Sequence, residues 1–291
     1  MKFDNIDVDI KDVQNIEFEI LLEFDRICKK NNIKYQLFAG TLLGCIRHKG
    51  FIPWDDDIDI CMTRGEYNKF LDIASSELNI KYFMQTYETD KNYFKQLGRI
   101  RKNNTLYLQK GYQFVDMHHG VSISLMPLDN VIPNKLIGKA HRIAYQFLFY
   151  FLVKLNGSRS IKSCVNRDNA IEKVIRLILF GVSKFIPKKL TDRLHTKVAC
   201  MFNNQETEYI THLTNGATKK RVYAYMMKRK DFYDVIEGDF EGHKFPIPRN
   251  FHSALTNLYG DYMKLPPEEK QKPHHGVVKV SFNTKLDGIV E

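Results

Sequence analysis

At 291 residues with 43% hydrophobic side chains, the chain can bury a real core as one large domain or two small ones. No stretch reaches the 18 or so apolar residues a membrane-spanning helix needs, and the acidic opening MKFDNIDVDI lacks the basic start and apolar run of a signal peptide, so the chain reads as cytoplasmic. The net charge of +10 is concentrated: Lys135 to Lys197 holds 14 Lys and Arg against three acids, a surplus of +11 that leaves about −1 for the rest.

Val13, Ile16, Ile20, Phe24 and Ile27 recur at helical spacing, and Asn31-Asn32 break the pattern before Ile33, Tyr35 and Leu37 alternate as a strand. Gly40 to His48 reads as a turn opening a short helix, Lys49 to Trp54 as a loop, and Asp57 to Met62 as a second strand. On that strand Asp57 and Asp59 project to one face and Ile58 and Ile60 to the other. Thr63 and Glu66 have capping-box spacing for a helix through about Leu78. Strand-like segments follow at Ile80 to Thr86, Tyr93 to Ile100, Thr105 to Leu108 and Val121 to Met126.

From Leu136 the texture becomes helical. Ile143, Phe147, Phe151 and Leu155 mark one helix, read as core or as a packing face. Ile171, Val174, Ile175, Ile178, Val182, Phe185 and Ile186 mark a second, amphipathic helix ending at Pro187. Both are too short to span a bilayer, and their cations suit either a solvated exterior over ordinary core or an interfacial surface attracted to anionic lipid. Beyond Asn203 come a Gly/Pro-punctuated stretch FEGHKFPIPRN, a short helix to Tyr259, and a proline-rich tail. His274 and His275 in that tail receive no role, and five scattered cysteines without a CxxC pair exclude a disulfide framework and a structural zinc site.

The chemistry concentrates in GTLLGCIRHKGFIPWDDDIDI, where Asp55, Asp56, Asp57 and Asp59 crowd beside the chain's single tryptophan, Trp54. Like charges this close are kept only if water or a cation neutralises them. Two carboxylates on one strand face, after a Gly40-Thr41 turn opening a helix, suit a divalent metal held against phosphates; a solvated acidic loop is the competing reading.

The blocks FAGTLLGCIRHKGFIPWDDDIDI, NNT at Asn103 to Thr105, MPLDN at Met126 to Asn130, FEG with PIP, and YGDYMKLPPEEK at Tyr259 to Lys270 resemble, in order, the LicD family of phosphocholine transferases, to which the fukutin-related ribitol-phosphate transferases are distantly similar. The resemblance implies an α+β fold: a nucleotidyltransferase-like mixed sheet core with flanking helices and a helical insertion. It would be divided as a 1–134 catalytic core, a 135–203 basic helical insertion, and 204–291 completing the same domain. It implies transfer of phosphocholine or a similar alcohol phosphate from a CDP-activated donor to a hydroxyl of a cell-surface glycan (teichoic acid, lipopolysaccharide or capsule), releasing CMP. The acceptor glycan is free or lipid-linked, with peripheral contact at the inner membrane face.

On this reading Asp57 and Asp59 ligate Mg²⁺ or Mn²⁺, the Gly40 backbone and Thr41 hold a phosphate oxygen, and Arg47 and Lys49 neutralise further charge. Asp55 and Asp56 orient the ligands or, with Trp54, meet a cationic headgroup, Asp56 otherwise being a solvated shoulder. Arg99 and Arg101 present cations toward the donor or protect a solvated edge; Asp129 belongs to the PLD motif or caps a turn. One position departs from the family pattern: Ser124 stands where a further aspartate is expected, leaving Asp55, Asp116 or Asp129 to supply the charge, or catalysis weakened. A nucleotidyltransferase releasing pyrophosphate from a triphosphate is the alternative enzyme. Nucleic acid is not expected as a partner, because the basic residues lie on apolar helices without aromatic interleaving.

Overall fold

The computed structural model describes residues 2–3, 6–133, 135–166, 169–213, 219–273 and 275–282. In chain order the elements are β1 (Lys2–Phe3), β2 (Ile6–Asp9), α1 (Ile10–Lys30), β3 (Gln36–Leu37), α2 (Ala39–His48), β4 (Asp59–Thr63), α3 (Arg64–Glu77), β5 (Tyr82–Gln85), β6 (Gly98–Lys102), β7 (Thr105–Gln109) and β8 (Ser122–Val131). A run of helices follows, α4 (Leu136–Asn156), α5 (Ile161–Val165), α6 (Ala170–Ser183) and α7 (Lys188–Ala199). The chain then returns through β9 (Tyr209–Thr211), α8 (Lys219–Ala224), β10 (Met227–Lys228), α9 (Arg229–Tyr233), β11 (Val235–Phe240), β12 (His243–Pro248), α10 (Phe251–Tyr259) and β13 (Val277–Phe282). This is the α+β class read from the sequence.

A curled, mixed seven-stranded sheet is organised about β8, a ten-residue strand buried along its whole length. On one edge β4 runs parallel to it, Asp59 to Thr63 matching Ser124 to Leu128. The other edge holds two antiparallel partners in succession, β6 along Ser122 to Leu125 and β9 along Asp129 to Val131. Ile58, Ile60, Ile100, Ile123 and Leu125 meet the buried face of α1, which brings Ile20, Phe24 and Ile27, and Phe70 of α3. Each such side chain contributes about 1.5–3 kcal/mol on leaving water. Thr63 caps α3 as its spacing predicts, its hydroxyl accepting from the Glu66 amide at 3.4 Å.

Four local expectations change. The acidic strand begins at Asp59, so Asp57 sits in the preceding loop; of the Tyr93 to Ile100 segment only Gly98 onward is strand. The Gly/Pro-punctuated stretch is a hairpin, because Glu241 (φ 48°) and Gly242 (φ 77°) form a two-residue turn with both φ positive, matching strand twist and joining β11 to β12. The tail supplies β13, antiparallel to β7.

The largest correction concerns the helices. The α4 stripe read as core or packing face points largely outward: Ile143, Phe147 and Phe151 are exposed, and only Leu155 of the four marker residues is buried. The inner face of α4 is instead Gly138, His141, Tyr145, Leu152 and Leu155. Tyr145 stacks on His195 of α7 at 4.9 Å, and His141 Nε2 donates to the Val198 carbonyl at 2.6 Å. The apolar stripe of α6 is exposed too.

Candidate functional site

Thr41, in the first turn of α2, is buried, and its hydroxyl accepts from the Asp59 amide at 2.8 Å. Phe38, just before the helix, donates its amide to the Asp59 carbonyl at 2.9 Å. The helix start and the acidic strand are thereby locked together. Thr41 thus positions an acid. A Cβ on Gly40 would stand 2.7 Å from Asp55 Oδ2, so glycine is what lets the helix backbone approach the acid.

The acidic loop is held from behind by α1. Gln14 donates to the Asp55 carbonyl at 2.8 Å and the Ile52 carbonyl at 3.3 Å. Glu17, one turn on, is buried, and its Oε2 makes no hydrogen bond. Burial, followed by the charges of Asp57, Asp56 and Asp55, pushes its carboxyl well above the usual range. Sequence reading missed Glu17; the signal was a polar pair, Gln14 and Glu17, inside the apolar stripe of α1.

Burial also raises Asp55 strongly, with Asp57, Asp56 and Asp59 adding repulsion, and protonated Asp55 is further favoured by donating a hydrogen bond to Asp57. Asp59 is raised by burial and by Asp57, against the pull of Arg99 and Lys95. Two carboxyl groups in contact need a proton or a cation between them. Asp56 does not form a solvated shoulder: it is 1% exposed, accepts from Tyr107 Oη at 2.6 Å and pairs with His275 Nδ1 at 3.1 Å. His275 Nε2 lies 3.9 Å from Asp57 Oδ2, so this histidine spans two of the acids. His274 lies outside the described residues.

Ser124 lies directly across from Asp59 on one side and from Arg99 on the other. The hydroxyl-bearing residue thus occupies the β8 position paired with Asp59. Arg99 is half-buried with its Nε unpaired, and Asp57 and Asp59 are among the charges holding its proton on. Arg101 is buried, donates to Gln85 and to the Gly120 carbonyl, and is pushed down to about 9 by burial and then by Arg99. β6 is an interior strand, so the solvated-edge reading of this pair fails.

A cleft of about 630 Å³ opens over the acids. Gly40, Trp54, Asp55, Asp57 and Asp59 line it together with Arg47, Tyr225, Tyr259, Asp261, Tyr262, Lys264 and Lys270. The YGDYMKLPPEEK block therefore folds back to complete the cleft. Arg47 is fixed by donating to the Tyr262 carbonyl at 2.9 Å. Lys49 is not in the cleft; it caps α2 in a left-handed conformation (φ 60°), its carbonyl bound by Glu241. Asp116 is exposed and outside the cleft lining. Asp129 is fully buried elsewhere, in a two-point ion pair with Arg64 at 2.7 and 2.8 Å and a 2.7 Å bond from Asn203.

Among the described residues no three His, Cys, Asp or Glu side chains converge tightly enough to hold a metal unaided. A hard divalent ion such as Mg²⁺ takes one or two carboxylates and completes its shell with water and substrate phosphates. Asp57 and Asp59, with repelling charges open to the cleft, fit that demand.

Residues 32–131 match the family described as LicD/FKTN/FKRP, nucleotidyltransferase domain. Over 280 residues the chain is 34% identical to the lipopolysaccharide cholinephosphotransferase LicD of Haemophilus influenzae, covering 91% of this chain and 96% of that protein. Two uncharacterized rickettsial proteins match over shorter stretches: one from Rickettsia typhi, 33% identical over 100 residues (34% of this chain, 27% of that protein), and one from Rickettsia prowazekii, 49% over 43 residues (15% and 16%).

Proposed function

The chain belongs to the LicD family, and from that premise we propose that it transfers phosphocholine from a CDP-activated donor to a hydroxyl of lipopolysaccharide, releasing CMP. The observation that supports this most is the convergence, in one cleft, of a crowded carboxylate set with an aromatic wall. Tyr225, Tyr259, Tyr262 and Trp54 line the cleft together with Asp55 and Asp261, and aromatic rings with carboxylates are a combination that attracts a quaternary ammonium.

In the reaction the acceptor oxygen attacks the phosphorus bonded to choline, the bond to the CMP oxygen breaks, and the acceptor proton must leave. Asp55, its proton affinity raised by burial and neighbouring charge, takes that proton when it enters the cycle ionised. Arg47 and Arg99 offset the negative charge that develops on the departing CMP. Gly40 keeps the first turn of α2 close enough for backbone N–H groups to meet a phosphate oxygen, and Thr41 fixes Asp59. Asp57 and Asp59 would hold Mg²⁺ or Mn²⁺, which supplies neutralisation of the pyrophosphate when bound.

The deciding experiment presents CDP-choline, CDP-ribitol and CDP-glycerol in turn, with extracted lipopolysaccharide, and follows CMP. Acceptor-dependent release from CDP-choline alone is expected. Pyrophosphate release from a nucleoside triphosphate, without CMP from any CDP-alcohol, would overturn the reading.

A further inference from the structure

We propose that the helical region from Lys135 to Lys197 is a docking surface for an anionic lipid bilayer, seated through the outward apolar stripes of α4 and α6. Along α6 and just past its end, Ile171, Val174, Ile175, Ile178, Val182 and Phe185 recur at helical spacing, and all six are exposed, Ile171 at 72% and Phe185 at 87%. Of α6 only Ser183 is buried. Along α4 a parallel stripe contains Leu136 (83%), Ile143 (61%) and Phe147 (75%). Among the described residues, 16 of the 24 exposed large hydrophobics fall between Leu136 and Leu194. Single exposed apolar residues are ordinary, whereas stripes of this density mark a surface that is covered in use.

Charge selects the occupant. The region's surplus is +11. Its described acids are already engaged, Glu172 with Arg176 at 2.8 Å and the buried Asp192 with Lys188 at 2.7 Å. Lys139, Lys154, Lys162, Lys173, Lys189 and Arg193 are exposed and form no ion pair among the described residues. A second copy would bring the same positive face and be repelled; an anionic headgroup layer offers both opposite charge and an apolar boundary to receive the stripes. Lys154 continues the stripe of Ile143 and Phe147 at helical spacing, and a long aliphatic stem lets such a cation reach headgroups while its helix lies in the interface. Among the described residues no helix is long and apolar enough to cross the membrane, so the contact is parallel to the bilayer plane. The seven residue steps of β8 from Ser124 to Val131, roughly 23 Å at about 3.3 Å each, connect the cleft to the start of this surface.

The test floats the full-length chain with phosphatidylcholine vesicles, with and without phosphatidylglycerol. Flotation with the anionic vesicles only, diminishing as salt is added, is expected. Each cation engaged near the surface is worth about a fivefold change in partitioning, so Lys139→Gln, Lys154→Gln and Lys173→Gln together should weaken it about a hundredfold. Phe147→Ser with Ile178→Ser should weaken it at least tenfold. No flotation at low salt, or equal flotation with neutral vesicles, overturns the proposal. So does a stable wild-type dimer abolished by Phe147→Ser, which would make a second copy the occupant. Should a variant fail to fold, the wild-type salt titration still decides. CMP release is scored separately on a detergent-dispersed acceptor, so flotation without transfer would sink the functional reading and keep this one.

Discussion

Asp59 and Asp129 belong to neighbouring parallel strands of one sheet, within a few residues of the same β8 register, yet the chain treats them in opposite ways. Asp129 is given a complete set of partners: Arg64 at two points, Asn203, and the Cys200 thiol. That set outweighs burial and holds its carboxyl below the usual range. Asp59 is crowded by Asp57 and Asp55, and burial plus the charge of Asp57 drives it upward. A fold spends ion pairs where it needs rigidity; it tolerates repulsion where a ligand is to supply the missing charge.

The comparison is broken most directly at the crowded end. Asp57→Asn and Asp59→Asn are each expected to lower transfer about a thousandfold, the several kcal/mol lost with a charged metal ligand. Urea midpoints should stay unchanged or rise, since each change relieves repulsion. Near-wild-type turnover in either variant would remove the metal reading.

At the paired end the expectation reverses. Asp129→Asn strands Arg64 in the interior and should cost about 3–5 kcal/mol of stability, read as a lowered urea midpoint. Activity of the remaining folded fraction should persist, because Asp129 does not line the cleft. Loss of turnover without loss of stability would mean that the PLD motif serves chemistry after all.

How much of this was legible beforehand follows the same division. Local rules that need only near neighbours were readable: the α1 stripe, the Thr63 cap, and the alternation of Asp59 against Ile58 and Ile60. Asp129 misled because its partner Arg64 is 65 residues away and carries no local signal. Glu17 left a local trace, a polar residue beside Gln14 within the apolar stripe of α1, but what gives it a role is the acidic loop 38 residues on, reached only through the fold. His275 was set aside as tail, yet the pairing of β13 with β7 anchors the segment that follows it. The outward stripes of α4 and α6 show the limit of periodicity, which identifies an apolar face without saying what covers it.

A smaller effect tests the paired neighbourhood by pH. His195 and His212 are both buried beside it, and burial pushes each down to about 4. Unfolded, each would titrate near 6.5, so between those values the unfolded chain binds more protons and stability falls as pH falls. The slope is at most about 1.4 kcal/mol per pH unit for each residue, flattening below pH 4. Urea midpoints from pH 7 to 4 should show it, and His195→Gln or His212→Gln should flatten it; an undiminished slope in both variants would place the titrating group elsewhere.

The finest test of the contrast is Ser124, which is 6% exposed and lies across from Asp59 on one side and Arg99 on the other. A carboxylate there could resemble either aspartate: with a cation bridging it to Asp59 it gains a partner, and without one it joins the repulsion. Ser124→Asp is therefore expected to tighten Mn²⁺ about tenfold in a direct titration, and to raise transfer modestly. In metal-free buffer the same variant should be less stable by about 1–3 kcal/mol, because a buried charge then lacks compensation beyond Arg99. The two results must appear together: metal should restore the lost urea midpoint in proportion to the tightened binding. A variant destabilised equally with and without Mn²⁺ would show that position 124 points into the core and takes no part in the acid site.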